Sequence, residues 1–591
     1  MGTVEIKRVG VVGLGIMGSG IVEVVARNGY QVVGVDLAPD HLKQAQQRMS
    51  DSMERGVARG KLTDGDREEI TSRISYSTAL QDLASCDLVI EAATEDLDIK
   101  RQIFSALGSI LTEQAILATN TSALSVTEIS VSTDRPNRVI GMHFFNPATV
   151  QSFVEIVRTV TTDQEVVDKA VAFAVSLHKE PVVVADRAGF IANALLFGYL
   201  NQAIGMYEQK YASREDIDNA MKLGCGLPMG PLALLDLIGL DTSLQILDTM
   251  YHQSRDRLHA PNALLKQMVA AGLLGRKSGR GFYTYESKNS PTVVADQKTP
   301  AVESGDRASS ITTVGVIGSG TMATGIASVF ASAGVPVTLV TRSAAKSDSA
   351  IESLTKSWQK LVDKGKITQD KMQGYLANLS TTESVSALEV DLVIEAIAED
   401  FDVKAAIFRE LDRALPSHVV FATTTSSLSV IELAAQTSRP EKFLGIHFFN
   451  PAAIMKLVEM VSTVVSDPVV VAECTTLVRS VGKVPVQCSD RAGFIVNALL
   501  FPYLNNAITM ASENYATTED IDTAMKRGCG YPMGPFELLD VVGLDISLAI
   551  ISTLYLEFRE PGFAPAPQLE QLVTAGYLGR KVGRGFRSFS A

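Results

Sequence analysis

Two histidines each stand twelve residues ahead of a glutamate, His143 before Glu155 and His447 before Glu459. In Val154-Glu155-Ile156-Val157 the acid interrupts an apolar strand-like run, where a carboxylate is costly unless it is paired. A carboxylate bonded to one imidazole nitrogen fixes the tautomer and raises the basicity of the other. That suits a base which takes a hydroxyl proton near neutral pH. Of the seven histidines only His143 and His447 correspond to each other within the chain, and a histidine beside Phe-Phe without such company would be structural. Ser122, in Asn120-Thr121-Ser122, and Asn193, in Phe190-Ile191-Ala192-Asn193, are candidate donors to a substrate oxygen. Taken singly, Ser122 reads equally as a helix cap and Asn193 as a satisfied core amide.

A second group of residues points to a nucleotide. Gly13, Gly15 and Gly18 follow the apolar run Val9 to Val12 and open a helical pattern from Ile21 to Ala26, with Ile16 and Met17 between them. Glycines there let the backbone approach a pyrophosphate at a helix amino end, and Asp36, 21 residues after Gly15, stands where a carboxylate accepts from an adenosine ribose. The reading is NAD, against a plain tight loop. A second loop has Gly318, Gly320, Thr321 and Met322 but Ala323 at the third position, and its ribose position is Thr341 followed by Arg342. A hydroxyl followed by a guanidinium suits a 2′-phosphate, so this site takes NAD or NADP, or else it is degenerate with Arg342 merely solvated.

The elements that must position these groups are written twice. Gly13 recurs as Gly318, an offset of 305; Asp87 to Ala92 recurs as Asp391 to Ala396, Gly141 to Pro147 as Gly445 to Pro451, and Asp186 to Ile191 as Asp490 to Ile495, all at 304. One deletion in the second copy accounts for the change, and a period near 300 is far above that of solenoid repeats. Short apolar runs at Val9–Val12, Val32–Val35, Leu88–Ile90, Ala115–Ala118, Val139–Met142 and Val182–Val184 alternate with helical patterns, which indicates a parallel sheet covered on both faces. From Ile191 to about Val269 the spacing is helical, broken at Gly224 to Pro231. The expected fold class is therefore α/β plus all-α: two tandem Rossmann-type doubly wound domains, 1–185 and 312–489, each followed by a helical domain, 186–286 and 490–591. A polar linker is expected at 287–311.

The 591 residues are 46% hydrophobic and 20% charged, an ordinary globular composition that excludes disordered and collagen-like chains. A net charge of −13 argues against nucleic acid as a partner. Five scattered cysteines, without a CxxC pair, suggest neither disulfides nor a metal site and fit a reducing, cytoplasmic compartment. No secretory pattern or membrane-length apolar run is seen.

The runs GLGIMGSGI, DLVIEAATEDLDIK, ATNTSALSVTEI, GMHFFNP, DRAGFIANALL, GLPMGPLALLDLIGLD and GRKSGRGFY together make the chain resemble the 3-hydroxyacyl-CoA dehydrogenase family over nearly all of both copies. The resemblance implies hydride exchange between a short-chain 3-hydroxyacyl-CoA, such as 3-hydroxybutyryl-CoA, and NAD(P). His143 and His447 would be the bases, Glu155 and Glu459 their orienting acids. Ser122 with Asn193, and Ser426 with Asn497, would hold the substrate oxygen. Ala92, Glu95, Lys100, Asn146 and Lys277 match family positions near the cofactor, and Ala396, Glu399, Lys404, Asn450 and Lys581 follow them in copy two. Ser52 with Lys61, and Ser357 with Lys366, lie where the family grips coenzyme A, although surface lysines on a helix are usually only solvated. It also implies pairing of the helical domains, here an intramolecular pseudo-dimer, with further homo-oligomerisation open.

The copies depart from the family pattern in different places. Copy one has Val150-Gln151-Ser152-Phe153 where copy two has Ile454-Met455-Lys456-Leu457, and Gly198 where copy two has Pro502, which is expected to alter the substrate wall of copy one. The copies are expected to differ in cofactor or chain-length preference. Competing readings are one catalytically degenerate copy, a non-catalytic nucleotide-binding protein, or a CoA-independent hydroxyacid dehydrogenase.

Overall fold

A computed structural model describes residues 6–300 and 309–589. Residues 301–308 of the expected linker lie outside this range, as do the first five residues, read above for a leader pattern. In copy one the chain runs β1 (Arg8–Val12), α1 (Ile16–Arg27), β2 (Gln31–Val35), α2 (Pro39–Ala58), α3 (Asp64–Ser72), β3 (Ile74–Ser77), β4 (Leu88–Glu91), α4 (Leu97–Ile110) and β5 (Ile116–Thr119). It continues through α5 (Val126–Ser130), β6 (Val139–Phe144), β7 (Phe153–Arg158), α6 (Gln164–Ser176) and β8 (Glu180–Ala185). The helical part is α7 (Ala192–Glu208), α8 (Arg214–Cys225), α9 (Pro231–Ile238), α10 (Leu240–Ser254) and α11 (Ala263–Ala270).

The sheet order is β3-β2-β1-β4-β5-β6-β7-β8, eight strands, and the second sheet repeats it from Leu379–Thr382 at one edge to Val484–Ser489 at the other. β1, β4 and β5 are buried on both faces, as their near-continuous apolar runs require. Within these two sheets all pairings are parallel except β6 with β7, and Phe443–Phe448 with Leu457–Ser462 in copy two. That exception sets the site: antiparallel pairing puts His143 directly across from Glu155, and His447 across from Glu459. The edge strand β3 carries no apolar run, Ile-Ser-Tyr-Ser, and its sequence had given no strand signal.

The expected linker is structured where it begins. Thr284–Tyr285 pairs antiparallel with Val293–Val294, and Asp296 accepts from Arg214 Nη2 at 2.7 Å. Arg214 is 1% exposed, and a guanidinium so buried needs a carboxylate partner. The hydrogen bond from Arg214 holds the Asp296 carboxyl well below its ordinary range. Residues 287–299 thus pack onto the first helical domain, whose buried cation Asp296 shares with Glu215, itself 2.7 Å from Arg214 Nε.

The two copies pack on each other. α7 lies against its counterpart Val496–Ser512, and one hydrophobic cluster runs from Leu200 and Ile204 to Leu504 and Ile508. Where these helices cross, the rings of Tyr199 and Tyr503 stand 6.5 Å apart, and Tyr531 is 5.9 Å from Tyr503. These three rings, with Cys225 and Leu227, line a cavity of about 40 Å³. Further out, Arg187 lies 4.5 Å over the ring of Tyr515, whose hydroxyl donates to the Ala185 carbonyl at 2.8 Å. Its counterpart Arg491 lies 5.5 Å over Tyr211 and donates to Gln209 at 2.7 Å. The Asp-Arg-Ala-Gly-Phe run therefore joins the copies through its arginine. Its aspartate, Asp186, caps α5 by accepting from Thr127 N at 2.7 Å. Among the described residues no single helix is long and apolar enough to cross a membrane.

Candidate active site

The phosphate loop of copy one sits between β1 and α1. Gly13 has φ +86, and a Cβ there would meet the Ala93 backbone at 2.6 Å, so only glycine fits. A Cβ on Gly18 would lie 1.8 Å from the Gly13 carbonyl oxygen, whereas Gly15 has nothing within 4 Å and leaves the amino end of α1 open. Asp36 Oδ2 accepts from Leu14 N at 2.9 Å, and Oδ1 from Ala38 N at 3.2 Å, which draws the loop toward the end of β2. Ile16, Met17, Asp36 and Ala92 line the cleft in front of it.

Copy two solves the same turn differently. Ala323 replaces Gly18, and Gly318 opens to φ +129, so the extra methyl lies 3.2 Å from a Cβ added at Gly318. Thr341 cannot reproduce the two carboxylate bonds of Asp36. It is buried, and its hydroxyl turns into its own turn, donating to Ser343 O at 3.0 Å and sharing a bond with Ser347 at 2.8 Å. Arg342 is exposed beside it.

The histidine and glutamate expected to pair do so. His143 Nδ1 stands 2.7 Å from Glu155 Oε2, and Glu155 Oε1 accepts from Ile191 N and Ala192 N at 3.0 Å at the start of α7. Glu155 is fully buried yet fully satisfied. An ionised Glu155 accepts only, so Nδ1 carries the proton and Nε2 is left as the basic nitrogen. Phe145 and Phe190 flank the imidazole, with centroids at 4.5 and 5.7 Å. In copy two His447 to Glu459 is 2.7 Å, Glu459 accepts from Ile495 N at 3.0 Å and Val496 N at 2.9 Å, and Phe449 and Phe494 flank the ring at 4.6 and 5.6 Å.

Ser122 is held by Glu95: its N and Oγ donate to Glu95 Oε1 at 2.8 and 3.1 Å, and Asn193 Nδ2 donates to Ser122 O at 3.2 Å. Ser426, Glu399 and Asn497 repeat this at 2.8, 3.1 and 3.3 Å. Burial pushes the Glu95 carboxyl up, but the Lys100 ammonium and the donors from Thr121 and Ser122 leave it below its ordinary value, and the same holds for Glu399 with Lys404. Lys100 itself is 1% exposed, with Nζ 2.7 and 2.9 Å from the Glu91 oxygens, and Lys404 likewise pairs with Glu395 at 2.6 Å. These lysines, expected near the cofactor, lie beneath the cleft, with Nζ also 3.6 Å from Glu95 and 3.5 Å from Glu399 respectively.

His143, Glu95, Ser122, Asn146 and Asn193 face one cleft of about 1090 Å³, which begins at Gly13 and Asp36. Other predicted residues are not in its lining. Lys277 pairs with Asp241 and Lys581 with Asp545, at 2.5 and 2.6 Å, on the helical domains. Ser52 donates to Glu23 on α1 at 3.1 Å, while Lys61, Ser357 and Lys366 are exposed on the helical excursion. Gly198 faces Leu258, 2.9 Å from where its Cβ would be, so it does not alter the substrate wall; Gln151 does line the cleft. Sequence reasoning missed Gln245, whose Nε2 donates to the Glu95 carbonyl and ties α10 to the sheet domain; copy two has Ala549 there. Its sequence neighbours, Ser-Leu-Gln-Ile-Leu, gave no signal.

Comparison with known proteins places both copies. Models of the 3-hydroxyacyl-CoA dehydrogenase NAD binding domain match residues 8–187 and 313–491, and those of the 3-hydroxyacyl-CoA dehydrogenase C-terminal domain match 189–285 and 493–588. A 3-hydroxybutyryl-CoA dehydrogenase of Mycobacterium tuberculosis is 45% identical over 282 residues, 47% of this chain and 99% of that protein. The mitochondrial hydroxyacyl-coenzyme A dehydrogenase of Homo sapiens is 43% identical over 289 residues, 48% of this chain and 92% of that one. The crystal structure of 3-hydroxybutyryl-CoA dehydrogenase from Escherichia coli is similar over 97% of this chain and 100% of its own, with TM-score 0.69 and 26% identity.

Proposed function

Since the chain belongs to the 3-hydroxyacyl-CoA dehydrogenase family, with both family domains present twice, we propose that each copy interconverts a short-chain (S)-3-hydroxyacyl-CoA and the 3-ketoacyl-CoA at its own His–Glu pair. The observation that carries the proposal is the pairing of His143 with Glu155, and of His447 with Glu459, at the same 2.7 Å on matching strand registers.

The residues of the glycine loop fit a dinucleotide. The open space over Gly15 and the positive φ of Gly13 form a cradle that a side chain would fill. Gly13, Gly15 and Gly18 would hold the pyrophosphate, Asp36 the ribose, and Ala92 and Asn146 the nearer half. NAD bound there supplies the hydride acceptor or donor. In the oxidising direction His143 Nε2 takes the C3 hydroxyl proton, and Glu155 stabilises the imidazolium through Nδ1. Asn193 and Ser122 orient the substrate oxygen, and the Phe145 and Phe190 rings keep water from the imidazole.

In copy two the cofactor is NAD or NADP. Loss of the carboxylate at Thr341 removes what would repel a 2′-phosphate, and Arg342 lies exposed next to it. Tandem pairing of the helical domains makes the chain an intramolecular pseudo-dimer, supported by the mirrored Arg187–Tyr515 and Arg491–Tyr211 stacks. The unpaired cysteines accord with a cytoplasmic setting.

The test is acetoacetyl-CoA reduction by His143→Ala and His447→Ala chains, each with NADH and NADPH. His143→Ala should retain the rate of copy two with both cofactors, and His447→Ala should retain that of copy one with NADH alone. A full rate in the double variant would overturn the assignment of the base.

A further inference from the structure

The copy-one cleft does not end within copy one. Beyond His143 its lining passes Phe145, Leu196 and Phe197 and closes on Gly528, Cys529 and Gly530, which belong to the helical domain of copy two. Gly528 fits against the site at the resolution of one methyl group. A Cβ there would lie 3.1 Å from Phe153 Cδ1 and 3.2 Å from Phe145 Cε1, and the Phe145 ring is the one that flanks His143. The segment is anchored on copy one by Arg527, whose Nε donates to Glu180 on β8 at 3.2 Å.

The arrangement is mirrored but not identical. Gly224, at the end of α8, approaches Leu457 and Val496 of copy two, each 2.9 Å from its added Cβ, and the Val496 N–H donates to Glu459. The wall that copy one lends is the end of a regular α-helix, whereas copy two lends a π-helical turn, Ala524–Gly528. Facing these walls are Phe153 in copy one and Leu457 in copy two, both fully buried. Burial pushes the Cys529 thiol up to about 12, with the Glu155 charge of the other copy adding to the effect; Cys225 stands in the same relation to Glu459. Both thiols therefore stay neutral; Cys529 is a small apolar group in the wall of the copy-one cleft, while Cys225 lines the cavity between the copies.

Resting on the dehydrogenase reading, we infer that the acyl pocket of copy one is completed by copy two, so that Gly528 and Cys529 set the acyl length accepted at His143. The tail of an acyl chain is the part of the substrate that an apolar wall of Phe145, Phe197 and Cys529 recognises, and a pocket discriminates by about tenfold or more for the length that it excludes.

Cys529→Phe placed in the His447→Ala chain reports on the copy-one site alone. It should lower kcat/KM for 3-ketooctanoyl-CoA by about tenfold or more relative to that for acetoacetyl-CoA, chiefly through KM. Cys529→Ala should move the ratio the other way. An equal effect on both chain lengths, or none, overturns the inference. The same substitution in the His143→Ala chain serves as the folding control, since the ratio read at copy two should stay at its parent value; a shift there also overturns it. A readout without turnover is photolabelling by an acyl-CoA with a terminal diazirine. Adducts are expected on residues 528–530, and their absence there while copy one is labelled overturns the inference. If the parent chains reduce no acyl-CoA, the dehydrogenase reading fails, and the labelling still decides the wall.

Discussion

The two copies keep the geometry of the His–Glu pair and let the glycine loop drift. His143–Glu155 and His447–Glu459 have the same length, and the bonds from the helix amino ends to each glutamate differ by at most 0.1 Å. The glycine loops differ in φ by tens of degrees, in the third glycine and in the residue that closes the turn. The reason is the number of constraints. Glu155 is fully buried and has all its bonds made inside the protein, so a change there leaves the donors from His143, Ile191 and Ala192 unsatisfied. Asp36 lies at the rim of an open cleft, where a hydroxyl can take its place and satisfy itself locally.

The comparison predicts equal penalties at the dyads. Glu155→Gln in the His447→Ala chain and Glu459→Gln in the His143→Ala chain should each lower kcat by roughly 10²–10⁴-fold. A copy that tolerates the change would no longer share its mechanism with the other. The loops, in contrast, should respond unequally. Gly18→Ala forces a methyl to within 1.8 Å of the Gly13 carbonyl oxygen and should raise the NADH KM of copy one by about tenfold or more. Ala323→Gly should change copy two by less than about threefold, since it only restores backbone freedom. Equal effects would mean that the two loops share one conformation.

The smallest expected difference lies in the helical domains. Burial raises the Asp218 and Asp236 carboxyls to about 6, while Asp522 is raised with Arg587 opposing the rise. A raised carboxyl holds its proton in the folded state after the unfolded chain, near 3.9, has released it. The resulting stabilisation is complete below the unfolded value and is lost as pH rises through 6. Hydrogen exchange at Leu232 and Ala233, which donate to Asp218, should slow severalfold from pH 7 to pH 5 after intrinsic correction. Phe536 and Glu537, which donate to Asp522, should change less. Equal responses would remove Arg587 as the distinguishing group.

Much of this was legible in the residues. The repeat offset, the apolar strands and the spacing from His143 to Glu155 follow from short-range pattern, and a buried strand acid announces its partner. Other features were not. That the Lys100 ammonium is buried against Glu91 is visible only in the fold, since nothing in its run marks it as buried. β3 hides because an edge strand can be polar. Gly198 looked like a site change because it departs from its counterpart, yet it faces Leu258. The far wall at Gly528 depends on which helix crosses which sheet, and no local spacing encodes that.

The cavity lined by Tyr199, Tyr503, Leu227 and Tyr531 has a consequence for assembly. In a dimer of identical chains an isologous contact must repeat on both sides of the axis. Here Leu227 and Tyr531 occupy corresponding places, so one side carries a bulky phenol and the other a smaller aliphatic group. Two first halves together would leave a void, and two second halves would crowd two phenols into the same space. Severed halves would therefore sort into mixed pairs, and the one-to-one stoichiometry that the peptide chain enforces is also inscribed in the packing.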